Sequence, residues 1–254
     1  AIYRPMSLTS PEGKVVRVTG GAHRIGAEIV RTLHSAGLDV VVHYNRSEAP
    51  ARALAETLNE IRVNSASTIQ GDLLDWEIPR RMIEHIAEQR GRLDVLVNNA
   101  SSFYATPLGS TGRDQWRDLM GTNLRAPFLL AEAATPLLRR DRGCIVNLVD
   151  IHGIRPKKDF SVYSMAKAAN AMMVRSLARE LGPEVRVNGV APGVILWPEH
   201  DMTDTKKDEI LSRTALKRPG NAMDIARTVR FLALEADYIT GQIIPVDGGR
   251  TVQQ

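Results

Sequence analysis

The feature that most restricts this chain is a regular alternation of two patterns. Short β-branched runs recur at residues 14–19, 39–44, 67–70, 94–98, 143–149, 185–190 and 242–246. Between them lie amphipathic stretches at 24–37, 48–59, 76–90, 114–139, 161–181 and 222–235, with apolar residues returning every three or four positions. Gly182-Pro183 closes the fifth of these in the manner expected of a helix end. Val40-Val41-Val42 and Val95-Leu96-Val97 are apolar at consecutive positions. Successive side chains of a strand point to opposite faces, so such runs need both faces covered, as in a parallel sheet flanked by helices. The alternation predicts an α/β fold, a doubly wound parallel sheet with right-handed crossovers and helices on both faces.

Nothing in the composition divides this unit. The 254 residues contain no repeat, low-complexity tract or linker, so residues 11–254 are expected to form one domain behind a short extension, 1–10. Hydrophobic residues make up 43 %, enough for a large core, yet no apolar run approaches the roughly 18 residues of a membrane span. The opening AIYRPMSLTS lacks the apolar segment of a secretory signal. The lone cysteine, Cys144, excludes an internal disulfide framework, fits a reducing cytoplasm and reads as small core filler. The net charge is +4, but the basic residues are scattered, without zinc-ligand spacing or an aromatic-interleaved basic stripe. Nucleic acid is therefore not an expected partner, whereas small phosphates or carboxylates are. The stretch near 193–216, with Trp197-Pro198 and a charged middle, is too long for an idle connection and reads as a substrate loop.

Two turns of the expected sheet point to a dinucleotide. The first strand runs into Thr19-Gly-Gly-Ala-His-Arg-Ile-Gly26 and then a helix. A glycine-framed turn there lets backbone N–H groups and the positive helix end approach a pyrophosphate. The spacing departs from G-x-G-x-x-G, because Arg24 stands where a middle glycine is expected. The second strand ends in His43-Tyr-Asn-Arg-Ser47, without the acid that accepts the adenosine ribose hydroxyls of NAD. Arg46 and Ser47 offer a cation and a hydroxyl for a 2′-phosphate instead, which favours NADPH.

A third constellation supplies chemistry. Tyr163 and Lys167 lie four residues apart in a helical stretch, on one face. The ammonium of Lys167 is expected to draw the phenol, ordinarily near 10, toward working pH and make Tyr163 a proton donor. Asp150 precedes Tyr163 by 13 residues at the end of a strand candidate. His23, His43 and His152 are not placed as metal ligands, so no metal is expected.

Taken together, these pieces resemble the short-chain dehydrogenase/reductase family. The match runs through Thr19–Gly26, Gly71-Asp-Leu73, Asn98-Asn-Ala100, Asn123, Tyr163–Lys167, Arg186–Gly193 and Tyr238–Gly249 in the family's order. The resemblance implies a single Rossmann-like domain with a sheet of about seven strands, often a homotetramer. Within the family the chain is similar to pteridine reductases. Arg24 replaces the turn glycine, Asn98–Leu108 resembles their stretch after the fourth strand, and Asp150 stands where most members carry a catalytic Ser. The run Ile195–Asp201 is similar to dihydromonapterin reductases.

The resemblance implies roles residue by residue. Tyr163, Lys167, Asp150 and Asn123 would form the catalytic group, with Asn123 holding a helix backbone and a relay water. NADPH would lie along Gly20, Arg24, Ile25 and Gly26, then Tyr44, Asn45, Arg46 and Ser47. Asp72 and Leu73 would border the adenine, and Asn99 and Ala100 the ribose. Pro192, Gly193, Val194 and Ile195 would complete the cofactor site, with Ser101, Tyr163 and Lys167. Phe103 would stack on a pterin, with Arg24, Ser101, Asp150 and Tyr163 around it. An Asp at position 150 suits this substrate class: an ionised carboxylate repels the oxyanion of a reduced carbonyl by several kcal/mol at ~4 Å with an effective dielectric near 20. A ring C=N instead needs a proton at nitrogen, which Asp150 can pass through Tyr163 or water. The expected activity is dihydropterin reduction, with folates as further substrates. The alternatives are an NADPH-dependent carbonyl or 3-oxoacyl reductase and a catalytically idle NADPH-binding regulator.

Overall fold

The computed structural model describes residues 10–197 and 203–252. The expected N-terminal extension falls almost entirely on residues outside that range, as does part of the substrate loop, 198–202.

Seven strands form: β1 (Val15–Val18), β2 (Asp39–Tyr44), β3 (Ala66–Gln70), β4 (Val95–Asn98), β5 (Cys144–Leu148), β6 (Arg186–Pro192) and β7 (Ile243–Val246). All pair in parallel, in the order β3-β2-β1-β4-β5-β6-β7. The consecutive valines of β2 explain why the sheet is sandwiched. Val40 and Val42 enter one apolar layer and Val41 the other. Helices α1 (Arg24–Ser35), α2 (Glu48–Ile61) and α8 (Ala222–Leu234) supply Ile29, Leu33, Leu54, Ile225 and Leu232 to the first layer. Helices α3 (Ile78–Arg90), α5 (Ala126–Asp141) and α6 (Ser161–Leu181) supply Ile86, Leu130, Leu138 and Val174 to the second. Each fully buried Leu or Ile contributes about 1.5–3 kcal/mol. Cys144 is buried among them, as core filler should be.

Three expectations need correction. The stretch 114–139 is not one helix. It comprises α4 (Arg113–Met120), a single π-helical turn (Gly121–Arg125) and then α5. Pro127 has no N–H to return to the Asn123 carbonyl, and Ala126 N–H bonds to Gly121 O instead. The substrate loop contains a helix, α7 (Asp204–Ser212), started by Thr203, whose hydroxyl accepts from Lys206 N–H. No residue of α7 is buried, so no apolar periodicity announces it; ion pairs Lys207–Asp204 (3.0 Å) and Arg213–Glu209 (2.9 Å) line it. Gly182 ends α6 in extended backbone (φ −69°) rather than in the left-handed turn usual for a helix-ending glycine.

Candidate active site

Strand order reverses between β1 and β4, and the crevice outside the C-terminal ends of the strands opens there. The loops leaving β1, β2, β4, β5 and β6 carry almost every residue singled out above.

The β1–α1 turn is fixed by three neighbours. Thr19 Oγ1 accepts from Asn99 N–H (2.8 Å) and Ala100 N–H (2.9 Å), joining β1 to β4. Asn99 Nδ2 donates to the carbonyls of Thr19 (2.9 Å) and Gly20 (3.1 Å), so this amide is committed to the turn even though the residue borders the groove. Gly20 N–H donates to His43 Nδ1 (3.1 Å), and His43 Nε2 meets the Gly71 carbonyl (3.0 Å). Burial and, second, the charge of Arg17 push His43 down to about 3. The imidazole is therefore neutral, with its proton on Nε2 and its acceptor on Nδ1. Gly26 admits no side chain, since a Cβ would stand 2.1 Å from Gly20 O and 2.6 Å from Asn99 Nδ2. Arg24 holds φ 49°, left-handed backbone that a glycine would adopt without strain. Its guanidinium reaches toward the Trp197 carbonyl (3.4 Å), linking this turn to the substrate loop.

Two adjoining cavities meet at this turn. The longer, of about 900 Å³, is lined by Gly20, Arg24–Gly26, Tyr44–Ser47, Asp72, Leu73 and Asn99–Ser101. This set gathers the residues expected on the adenosine and pyrophosphate side. Arg46 is exposed there, and Ser47, at the start of α2, uses its hydroxyl in no capping bond. The second cavity, about 450 Å³, is lined by Asp150, Tyr163, Lys167 and Pro192–Ile195, with Arg24, Ile25, Asn99, Ser101 and Phe103 shared between the two.

Asp150 stands at the end of β5 and holds two partners. Its Oδ1 accepts from His152 N–H (2.7 Å), capping a short 3-10 turn, and its Oδ2 accepts from the Tyr163 hydroxyl (2.8 Å). Lys167, four residues along α6, donates to the Leu148 carbonyl (2.9 Å) while its Nζ lies 5.7 Å from the centre of the Tyr163 ring. Burial pulls its ammonium down to about 8, with Asp150 opposing. The expectation that Lys167 draws the Tyr163 phenol down is overturned. Burial first, then the Asp150 charge and hydrogen bond, push the phenol well up, with the Ser101 hydroxyl acting the other way. Tyr163 is thus held protonated with its O–H aimed at a carboxylate.

Asn123 is fully buried in the π-helical turn. Its Nδ2 donates to Leu119 O and Ser102 O (both 2.9 Å), and its Oδ1 accepts from Ser101 Oγ (2.7 Å). Its own carbonyl, left free by Pro127, accepts from Asn170 Nδ2 (2.7 Å). Asn170 Oδ1 accepts from Asn147, and Asn147 Oδ1 from Asn98, each at 2.9 Å. This buried amide chain locks β4, β5 and α6 to the turn beneath the site. The sequence signalled it only as single polar residues inside apolar runs, such as Asn147 in Cys144–Leu148. Phe103 packs on Phe160 (centroids 4.7 Å, 25°) and meets Tyr163 edge-on (4.8 Å, 76°), and it remains 46 % exposed. Lys157 and Arg250, also on the second cavity, were not anticipated. Among the described residues no cluster of His, Cys, Asp or Glu could hold a metal, and no helix is long and apolar enough to cross a membrane.

A seven-stranded doubly wound sheet with a glycine turn at the switch point and an Asp–Tyr–Lys cluster beside it defines a nucleotide-dependent oxidoreductase architecture. Comparison with known proteins agrees. The family model described as enoyl-(acyl carrier protein) reductase matches residues 20–251. The chain belongs to the short-chain dehydrogenase/reductase family. It is 38 % identical to pteridine reductase 1 of Leishmania tarentolae, over 95 % of this chain and 97 % of that protein. It is also 38 % identical to a 3-oxoacyl-[acyl-carrier-protein] reductase of Staphylococcus aureus, over 93 % of this chain and 97 % of that one. Among solved structures, a blue fluorescent protein from a metagenomic library in complex with NADPH superposes with a TM-score of 0.89 and 36 % identity, covering 95 % of this chain and 99 % of that one.

Proposed function

We propose that the protein reduces dihydropterins to tetrahydropterins with NADPH. The observation that carries this reading is the Tyr163 hydroxyl donating to Asp150 Oδ2 at 2.8 Å inside the second cavity. A carboxylate there repels the oxyanion that carbonyl reduction generates, whereas it can gather a proton for a ring nitrogen and accept from pterin N–H groups.

The cofactor residues fit NADPH on two observations. The turn at Gly20–Gly26 is closed to any Cβ at Gly26, leaving backbone N–H groups and the start of α1 to face a pyrophosphate. Arg46 and the uncapped Ser47 hydroxyl face the same groove at the end of β2, where a 2′-phosphate would be read. When bound, NADPH supplies the hydride. Lys167 orients the nicotinamide ribose through its ammonium, and Asn99 and His43 hold the turn rigid beneath the phosphates. Once Asp150 has taken a proton from solvent, its O–H would donate to the Tyr163 oxygen while the Tyr163 hydroxyl gives its own proton to the substrate nitrogen, returning Asp150 to the carboxylate, and Ser101 and Asn123 fix the hydroxyl network beside it. Phe103 offers a flat apolar surface to the pterin ring.

The second reading, a 3-oxoacyl reductase, is favoured by the equal 38 % identity to the staphylococcal enzyme. A panel of dihydrobiopterin, dihydromonapterin, dihydrofolate, a β-ketoacyl thioester and a small ketone, each with NADPH and NADH, separates the two. Preferred turnover of a dihydropterin with NADPH supports the proposal; preferred turnover of the thioester replaces it. Assembly as a homotetramer is part of the same proposal. It is supported by an apolar cleft of about 720 Å³ lined by Trp116, Met120, Phe128, Met172, Met173 and Leu177 on α4, α5 and α6, with Trp116, Phe128 and Met172 each about half exposed.

A further inference from the structure

The second cavity carries more positive charge than the reaction uses. Among the described residues, four cationic side chains, Arg24, Lys157, Lys167 and Arg250, line it against one carboxylate, Asp150. Lys167 and Arg24 have work on the cofactor side, and Asp150 is occupied by Tyr163 and His152 N–H. Lys157 and Arg250 remain.

Lys157 is exposed where it borders the cavity, and its ammonium lies over two aromatic faces. Its Nζ lies 4.1 Å from the centre of the Phe160 ring and 4.9 Å from that of Phe103, the aromatic residue at the junction of the two cavities. A cation seated on two rings loses rotamer freedom before any ligand arrives. Arg250 comes from the far end of the chain, after β7, and is steadied by donation to the Ile210 carbonyl of α7 (2.9 Å). Among the described residues, the acids that act on Arg250 are already engaged. Asp247 accepts from the N–H groups of Gly249 (2.9 Å) and Thr251 (2.7 Å), and Glu209 pairs with Arg213. Lys157 and Arg250 also repel one another, and burial with that repulsion holds the Lys157 ammonium below its ordinary range despite the attraction of Asp150. Two cations set into one cavity at mutual cost are explained by an anion that joins them.

We propose that Lys157 and Arg250 are specificity-determining residues that bind an anionic group, carboxylate or phosphate, on the tail of the reduced substrate. This rests on the pterin reading above and deepens it. A flat ring on Phe103 places its substituent next to Lys157, and Arg250, with α7, closes the other side. A neutral polyol tail gains little from this pair; a charged tail gains charge-assisted hydrogen bonds.

The test compares three dihydropterins under NADPH: 7,8-dihydrofolate with a carboxylate tail, 7,8-dihydroneopterin triphosphate with a phosphate tail, and 7,8-dihydrobiopterin with a neutral one. The parent, Lys157→Gln, Arg250→Gln, the double variant and Lys157→Arg are each assayed. The expected result is a loss of kcat/KM of about 10-fold or more per Gln substitution on at least one anionic substrate, carried by KM, against less than about 2-fold on dihydrobiopterin. Lys157→Arg restores most of the loss, and added salt raises KM for the anionic substrate alone. Turnover of dihydrobiopterin shows that each variant is folded. Whichever anionic substrate responds identifies the source of the charge. Equal losses on all three substrates, or none on the anionic pair, overturn the proposal while the pterin reading stands. Failure of the parent to reduce any of the three defeats both.

Discussion

The most unusual residue of the core lies directly beneath the cofactor turn and yields a quantitative prediction. Arg17 is fully buried in β1 between apolar strands. Its Nη2 donates to Met82 Sδ (2.8 Å), and among the described residues its Nε and Nη1 have no hydrogen-bond partner. Burial alone pulls its guanidinium from 12.5 to about 9. A drop of that size corresponds to roughly 5 kcal/mol of disfavoured charge at neutral pH, an upper bound before the surroundings relax. Replacing a buried charge by an apolar side chain of similar volume commonly stabilises by about 1–4 kcal/mol. Arg17→Met, packed against Met82, is therefore expected to raise stability within that window, moving Tm by roughly 2–4 °C per kcal/mol for a chain of this size. The sign with pH follows from linkage. The unfolded state binds the proton more tightly, so the parent's deficit is full below about pH 9 and shrinks as pH rises toward 12.5. Urea and thermal unfolding at pH 7 and pH 10 measure both effects. A variant less stable than the parent at pH 7, or a gain that grows with pH, would refute the argument.

Four further outcomes come from the same geometry. His43 is buried neutral with a folded pKa of about 3, so the unfolded state gains a proton first as the solution is acidified. Stability should fall from about pH 6.5 downward, by roughly 2 kcal/mol at pH 5, and His43→Asn should flatten that slope; identical pH–Tm curves for parent and variant would contradict it. Arg24→Gly removes left-handed strain of order 1–3 kcal/mol, so it should raise Tm while raising the KM for NADPH; a fall in Tm would show that the side chain outweighs the strain. Lys167, near 8, loses its charge above that pH, so kcat/KM should decline on the alkaline side of about 8, and Tyr163→Phe should lower kcat at least about 10²-fold. A flat alkaline limb would remove Lys167 from cofactor binding.

Much of this site is readable in the sequence, and the gaps have physical causes. The apolar runs of β2 and β4 announce buried parallel strands because both faces must be covered, and α6 begins and ends at the expected residues 161 and 181. Helix α7 escapes because it buries nothing and is held by a cap and ion pairs. The π-helical turn was legible only in Pro127, whose missing N–H frees the Asn123 carbonyl for Asn170. The shift of Tyr163 depends on burial and on the charge of Asp150, which a four-residue spacing to Lys167 does not reveal. Lys157 and Arg250 stand 93 positions apart by their numbering, and only the closing of β7 beside β6 brings them to one cavity.

Pterin reduction at this site depends on the carboxylate beside Tyr163, and one comparison isolates that carboxylate. In parent and Asp150→Ser, kcat/KM is measured against pH for 7,8-dihydrobiopterin and for a small ketone, both with NADPH. The Ser hydroxyl can still serve an oxyanion but is a poor proton source for a ring nitrogen. The predicted result is a fall of at least about 10²-fold on the pterin, with the ketone held or improved. A parent that prefers the ketone, or a Ser variant that keeps full pterin activity, would contradict the assignment of this site to pterin reduction.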